Sequence, residues 1–253
     1  MKDFNAKEEK DKIVQFIRDY YEKHDLGGVV IGISGGKDSA VVSGLFTEAL
    51  GAENVLGVTL PCHSKDSDRN DAKLVADKFG FNLINVNLTE VYNTFKDEIN
   101  KLGNFTEEDL KNSDINIRPR LRMATLYYLA ALYSEINKKP YIVTGTGNKS
   151  EFFVGYFTKG GDNVSDISVI GDLTVEEVIK VGEVLGVPEK VLYKTPDDGL
   201  SGMSDEVKLG FSYVDVDKVI NGEEVDNDVK KRILRRHEDN QHKFGVTTYR
   251  KDS

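Results

Sequence analysis

The sequence predicts an α/β fold, a doubly wound parallel sheet with helices on both faces. Three observations carry that prediction. The run Val29-Val30-Ile31-Gly32-Ile33 is short, continuous and rich in β-branched residues, the pattern of a strand buried on both faces. Further runs of this kind alternate with longer amphipathic stretches at the pitch of βαβ units. A glycine turn, Ser34-Gly35-Gly36-Lys37-Asp38-Ser39, follows the first run directly and opens a helix.

The elements are read in chain order. Ile13, Phe16, Ile17, Tyr20 and Tyr21 recur at helical spacing, and Gly27-Gly28 ends that first helix. After the strand at 29–33, a helix is expected over 39–50. A strand over 54–60 closes at Pro61, a polar helix covers 66–78, and a third strand runs over 82–88. A helix over 90–101 and a polar surface excursion over 103–114 follow, with Thr106 and Asp109 spaced as a capping box. The next helix spans 116–137, with Leu121, Ala124, Thr125, Tyr128 and Leu132 assigned to one face. Tyr141-Ile142-Val143-Thr144 is the fourth strand. Residues 155–166 form a long glycine-rich loop, of a length usually kept for function. Thr174 and Glu177 start a helix that Gly186-Val187-Pro188 ends, residues 197–205 form an acidic loop, and a charged helix runs over 227–243. The 253 residues are expected to form a single domain.

Composition narrows the function. Hydrophobic residues at 39% suffice for a core, and 30% charged residues point to a soluble globular chain. A net charge of −9 argues against nucleic acid as a partner. The single cysteine, Cys62, excludes an intrachain disulfide and a Cys-x-x-Cys metal site, and suits a reducing, cytoplasmic setting. No apolar run is long enough to span a membrane.

The glycine turn carries the chemistry. It is not a G-x-x-x-x-G-K-[ST] loop, because Asp38 follows Lys37, and it is not a G-x-G-x-x-G fingerprint. Two glycines let the backbone approach a ligand closely, and backbone N–H groups at a helix start favour an anion. Ser34 and Ser39 can add hydroxyl donors. An aspartate beside a bound anion calls for a neutralising divalent cation, so Asp38 implies Mg2+. A second strand end opens into a helix at Gly145-Thr146-Gly147-Asn148-Lys149-Ser150-Glu151, which sets Glu151 near Asp38.

The sextet resembles the signature of the PP-loop, or N-type ATP pyrophosphatase, superfamily, whose fold is the adenine nucleotide alpha hydrolase type. Asn116-Ile117, Arg120, Arg122-Met123, Gly145-Thr146 with Glu151, Gly155-Tyr156-Phe157-Thr158-Lys159 and Ser165-Asp166-Ile167 together resemble the ammonia-dependent NAD+ synthetase family. So do Leu192-Tyr193-Lys194, Ser204-Asp205-Glu206, Leu209-Gly210 and His242-Lys243. The resemblance runs nearly the whole chain and leads to the expectation of a synthetase domain without an N-terminal glutamine amidase domain.

What the resemblance implies is a carbon–nitrogen ligase of NAD biosynthesis. The carboxylate of deamido-NAD+ attacks the α-phosphorus of ATP, pyrophosphate leaves, and ammonia then displaces AMP. Gly32, Ile33, Ser34, Gly35, Gly36, Lys37, Asp38, Ser39 and Thr146 would bind ATP, and Asp38 and Glu151 would hold Mg2+. Arg120, Lys159, Asp166, His242 and Lys243 would engage deamido-NAD+, with Asp38, Lys159 and Asp166 at the reacting centre. The family forms homodimers, and Tyr127, Tyr128 and Tyr133 are candidates for that contact. Four positions depart from the family pattern: Val175 stands where a lysine touches ATP, Asp197 where a Ser or Thr is usual, Phe244 where the tail has an arginine, and Lys37 where many members have an uncharged residue. The resemblance therefore leads to the expectation that Lys37 partly replaces the charge lost at Val175, facing the polyphosphate. Another PP-loop ligase, or a nucleotide-binding homologue without catalysis, are the alternative readings.

Overall fold

The computed structural model describes residues 4–64, 66–194, 205–246 and 248–249. Its centre is a five-stranded parallel sheet of order β3-β2-β1-β4-β5. The strands are β1 Gly28–Gly32, β2 Val55–Thr59, β3 Asn82–Asn85, β4 Tyr141–Gly145 and the two-residue β5 Ile167–Ser168. Val30 aligns with Leu56 on one side and with Val143 on the other, so β1 is the central strand, and it is buried from Gly28 to Ile31. The expected strand over 82–88 stops at Asn85: Val86 and Leu88 still bond to Thr59 and Pro61 through their backbones, but outside the regular ladder.

Helices cover both faces. The first face carries α1 (Ala6–His24), α2 (Lys37–Leu50) and α7 (Val175–Leu185), which pack on each other around Ile17, Val41, Leu45, Phe46 and Val181. Burying Ile17 and Phe46 completely contributes on the order of 2–3 kcal/mol each. Phe16, placed with the apolar face of α1 by spacing, is half exposed. The opposite face carries α4 (Thr89–Asn100) and α5 (Glu107–Asn137) over Val30, Leu56, Val58 and Val143. A smaller cluster, Val154, Phe211, Val216 and Ile233, joins α6 (Lys149–Val154), α10 (Tyr213–Ile220) and α11 (Asn227–Asp239). Helices α3 (Asp66–Phe79) and α8 (Glu189–Leu192) join the first face through Ala72, Val75, Val191 and Leu192, and α9 (Asp205–Leu209) joins the smaller cluster through Leu209.

The long helix corrects the sequence reading twice. It starts at Glu107, not 116, because the Thr106–Asp109 capping box nucleates it and Pro119 is absorbed within it. Its buried face is also different. Leu129 and Ala130 are buried, with Leu126, Tyr127 and Tyr133 packed beside them, whereas Tyr128 and Leu132 point to solvent. Tyr127 and Tyr133 are thus partly buried against this core. The expected helix over 227–243 ends at Asp239 and continues as a single 3-10 turn over Gln241–Lys243. The acidic loop expected at 197–205, with Asp197, lies outside the described residues except for Asp205, which starts α9. Among the described residues no helix is long and apolar enough to cross a membrane.

Candidate active site

Strand order reverses between β1 and β4, and the crevice beyond the carboxyl ends of these strands is where open α/β sheets bind ligands. A cleft of about 380 Å³ lies there. It is lined by Gly32, Ile33, Ser34, Gly36, Lys37 and Asp38 after β1, Leu60 and Ser64 after β2, and Thr146 and Glu151 after β4. Arg122 and Met123 of α5 close the opposite wall. A second, more open cleft of about 620 Å³ borders β3 and shares Thr59 and Arg69 with the first. Although larger, it has no glycine loop and no paired carboxylates among its lining residues.

The glycine loop is braced from within. Ser39 is buried, and its Oγ donates to Gly36 O at 3.1 Å and accepts from Ser34 N at 3.3 Å. Gly36 N in turn donates to Ser34 Oγ at 3.2 Å. The two hydroxyls, expected as donors to an anion, thus spend hydrogen bonds on holding the turn. Gly35 has φ +79°, and a Cβ there would lie 2.5 Å from Asp68 O, so only glycine fits. The helix that follows starts at Lys37 with Gly36 as its N-cap and no side-chain cap hydrogen bond, and both residues line the cleft. Such an N-terminus accommodates an anion by hydrogen bonds and by the helix dipole together.

The structure brings Asp38 and Glu151 together through Asn148. Asn148 Nδ2 donates to Asp38 Oδ1 at 3.0 Å, and Asn148 N donates to Glu151 Oε2 at 3.1 Å in the capping box of α6. Lys37 Nζ donates to Asp38 Oδ2 at 2.9 Å. Burial, and next the charge on Asp38, push the Glu151 carboxyl up to about 8, while Lys37 pulls the other way. Two carboxylates crowded in this way suit a divalent cation. No group of three or more His, Cys, Asp or Glu among the described residues could hold a metal alone. Mg2+ commonly takes one or two carboxylates and completes its shell with phosphate oxygens and water, so the pair fits that ion.

A second cluster gathers the other expected residues outside the cleft. Arg120 donates through Nε and Nη2 to Lys159 O at 3.3 and 3.2 Å. Lys159 Nζ donates to His242 O at 2.6 Å and Gly245 O at 2.7 Å. Lys243 Nζ donates to Gly155 O at 2.8 Å and Phe157 O at 3.1 Å, and burial holds its ammonium below the ordinary lysine value. Gly155, at φ +63°, lets Asn240 pack where a side chain would stand, which seats the tail on the 155–161 loop. Asp166 sits elsewhere, accepting from Tyr127 Oη at 3.2 Å and from Val143 N at 2.8 Å. Val175 packs into the α6–α10–α11 cluster and is not part of the cleft wall.

Two motif residues to which the sequence reading assigned no role also line the cleft, Arg122 and Lys194. Arg122 donates through Nε to Leu60 O at 3.1 Å and through Nη2 to Ser64 Oγ at 3.4 Å, both neutral acceptors. Burial, with the like charge of Arg118, presses its guanidinium below its ordinary value. Lys194 Nζ pairs with Asp68 Oδ1 and Asp71 Oδ2, each at 2.8 Å, and lines the cleft beside Asp68. An Arg two residues after Arg120 in a helix points about 200° away from it, a signal that separates their roles.

A braced glycine loop, an uncapped helix start and a carboxylate pair, all at the switch point of a parallel sheet, define an α/β protein shaped to receive a polyphosphate. The chain belongs to the NAD synthase family, whose model matches residues 9–247. It is 39% identical over 241 residues to an NH3-dependent NAD+ synthetase of Carboxydothermus hydrogenoformans, covering 94% of this chain and 95% of that one. It is 44% identical to one of Methanococcoides burtonii over 83% of this chain and 77% of the other. Among solved structures it resembles an NMN synthetase from Francisella tularensis, with TM-score 0.88, 30% identity and coverage of 98% and 100%. It also resembles an NH3-dependent NAD synthetase from Campylobacter jejuni, with TM-score 0.79, 26% identity and the same coverage.

Proposed function

We propose that this chain is a cytoplasmic ammonia-dependent NAD+ synthetase, amidating deamido-NAD+ at the expense of ATP with release of AMP and pyrophosphate. The observation that carries the reading is the cleft: one uncapped helix N-terminus, in a loop braced by Ser34 and Ser39, facing the Asp38–Glu151 pair. The first N–H groups of α2 would hold the departing pyrophosphate, where charge develops as the α-phosphorus is attacked. Asp38 and Glu151 would hold Mg2+, which supplies charge neutralisation to the phosphates. Thr146 would contact ATP. Arg120, Lys159, His242 and Lys243 would receive the anionic parts of deamido-NAD+, exchanging backbone carbonyls for ligand oxygens. Asp166 reads as the residue that orients Tyr127 beside that ligand. Free ammonia is the nitrogen donor in this reading, supported by the near-complete overlap with NH3-dependent relatives. We further propose a homodimer through the exposed face of α5.

A second reading concerns the acceptor. The likeness to an NMN synthetase favours a mononucleotide substrate, whereas the sequence relatives are NAD+ synthetases. One assay decides both. The protein is incubated with ATP, Mg2+ and ammonium, and with either deamido-NAD+ or its mononucleotide counterpart, while AMP and the amidated product are followed together. Stoichiometric AMP and NAD+ support the first reading, preference for the mononucleotide supports the second, and ADP release or no amidation with either sinks both.

A further inference from the structure

Lys37 occupies an awkward place. It is the first residue of α2, where the helix dipole disfavours a cation, and it is only 6% exposed. Both the field and the burial work against a free ammonium there. One partner lies close: Nζ is 2.9 Å from Asp38 Oδ2, on the side of the carboxylate not taken by Asn148. Glu151, joined to Asp38 through Asn148, also feels the Lys37 charge. The ammonium is thus turned onto the carboxylate pair, rather than held out for a phosphate as the sequence suggested.

We infer that Lys37 is the resident cation of the Asp38–Glu151 pair: it pairs with Asp38 and offsets part of the charge at the two carboxyls until a divalent cation arrives, and it must release Asp38 when one binds. The inference rests on the reading of that pair as a metal site. The charges make the point. In the form that takes up a metal, with both carboxylates ionised, the pair beside Lys37 carries a net −1, and without Lys37 it carries −2. A divalent cation entering alone therefore competes with an ammonium already in place. One entering with ATP does not lose that ammonium's energy, because the polyphosphate offers Lys37 a new partner at the same helix start. Binding of metal and nucleotide would be coupled through one side chain.

The test uses the full chain and Mn2+ as the probe, with free Mn2+ read by electron paramagnetic resonance. In the absence of nucleotide, Lys37→Met should bind Mn2+ about tenfold more tightly than the wild type, equivalent to about 1.4 kcal/mol. Lys37→Arg, which keeps the charge, should stay close to the wild type. With ATP present the advantage of Lys37→Met should shrink or reverse. Equal or weaker Mn2+ binding by Lys37→Met without nucleotide would overturn the inference while leaving the metal site intact. Binding to neither protein, with or without ATP, would overturn the metal reading and this inference with it. Should Lys37→Met not fold, acylation of wild-type lysines read by peptide mass serves instead. Mn2+ alone should raise the labelling of Lys37 several-fold, and unchanged labelling would refute the displacement.

Discussion

Replacing Glu151 by Gln gives a worked test of the site electrostatics. The folded protein holds the Glu151 proton up to about 8, whereas an ordinary glutamate releases it near 4.5. A carboxyl whose value is raised on folding costs stability as pH climbs, because the unfolded chain gives up a proton that the folded one retains. The cost is absent below pH 4.5, grows between 4.5 and 8, and is constant above that. At about 1.36 kcal/mol per pH unit, it reaches roughly 3 kcal/mol at pH 7. The amide introduced by Glu151→Gln would mimic the protonated acid, with an oxygen still able to accept from Asn148 N in the capping box. The variant should therefore escape the cost. Unfolding entropy of about 2.1 cal/mol/K per residue converts this to a melting temperature about 6 °C higher for Glu151→Gln at pH 7. The assay is thermal unfolding of both proteins in EDTA from about pH 4.5 to about pH 8.5, a range that spans the two titrations. The gap should open with pH from near zero. A pH-independent gap, or a variant that is less stable than the wild type at the alkaline end, would refute the argument.

Arg122→Gln should raise the Michaelis constant for ATP about ten- to a hundredfold, the range of a lost charge-assisted hydrogen bond, with the melting temperature falling only a few degrees. Steady-state kinetics over ATP and over deamido-NAD+ separately would show which substrate the guanidinium serves, and an unchanged constant for both would remove it from the site. Tyr128, Leu132 and Ile136 stand at four-residue spacing on α5 and are 72%, 43% and 63% exposed, a stripe suited to a second copy of this chain. In sedimentation the wild type should run as a dimer and Tyr128→Asp as a monomer; identical behaviour would exclude this face.

Much of the architecture was legible locally. Val29–Ile33 reads as a doubly buried strand because nothing polar interrupts it, and it is the central strand. The capping boxes at Thr106, Thr174 and Asn148 depend on residues three apart in sequence, and the first two could be read from spacing. The glycine loop is equally local: Gly35 needs positive φ, and the helix start follows within two residues. The family itself was also legible, since its motifs occur in order along one chain.

What only the tertiary structure decided are relations between segments far apart. The face that α5 buries depends on where β1 and β4 lie beneath it, so an apolar residue such as Tyr128 could be assigned inward by period and stand in solvent. The strand at 82–88 shortens because its partner β2 ends at Thr59. Asp38 and Asn148 are 110 positions apart, and only the sheet order that sets β4 beside β1 lets Asn148 join Asp38 to Glu151. Lys37 could be seen as a charge near an anion site, but its direction was set by Asp38 and by burial, which no spacing encodes. Short-range rules fix backbone conformation, whereas the partner of a buried charge is settled by whatever the fold brings within a few ångströms.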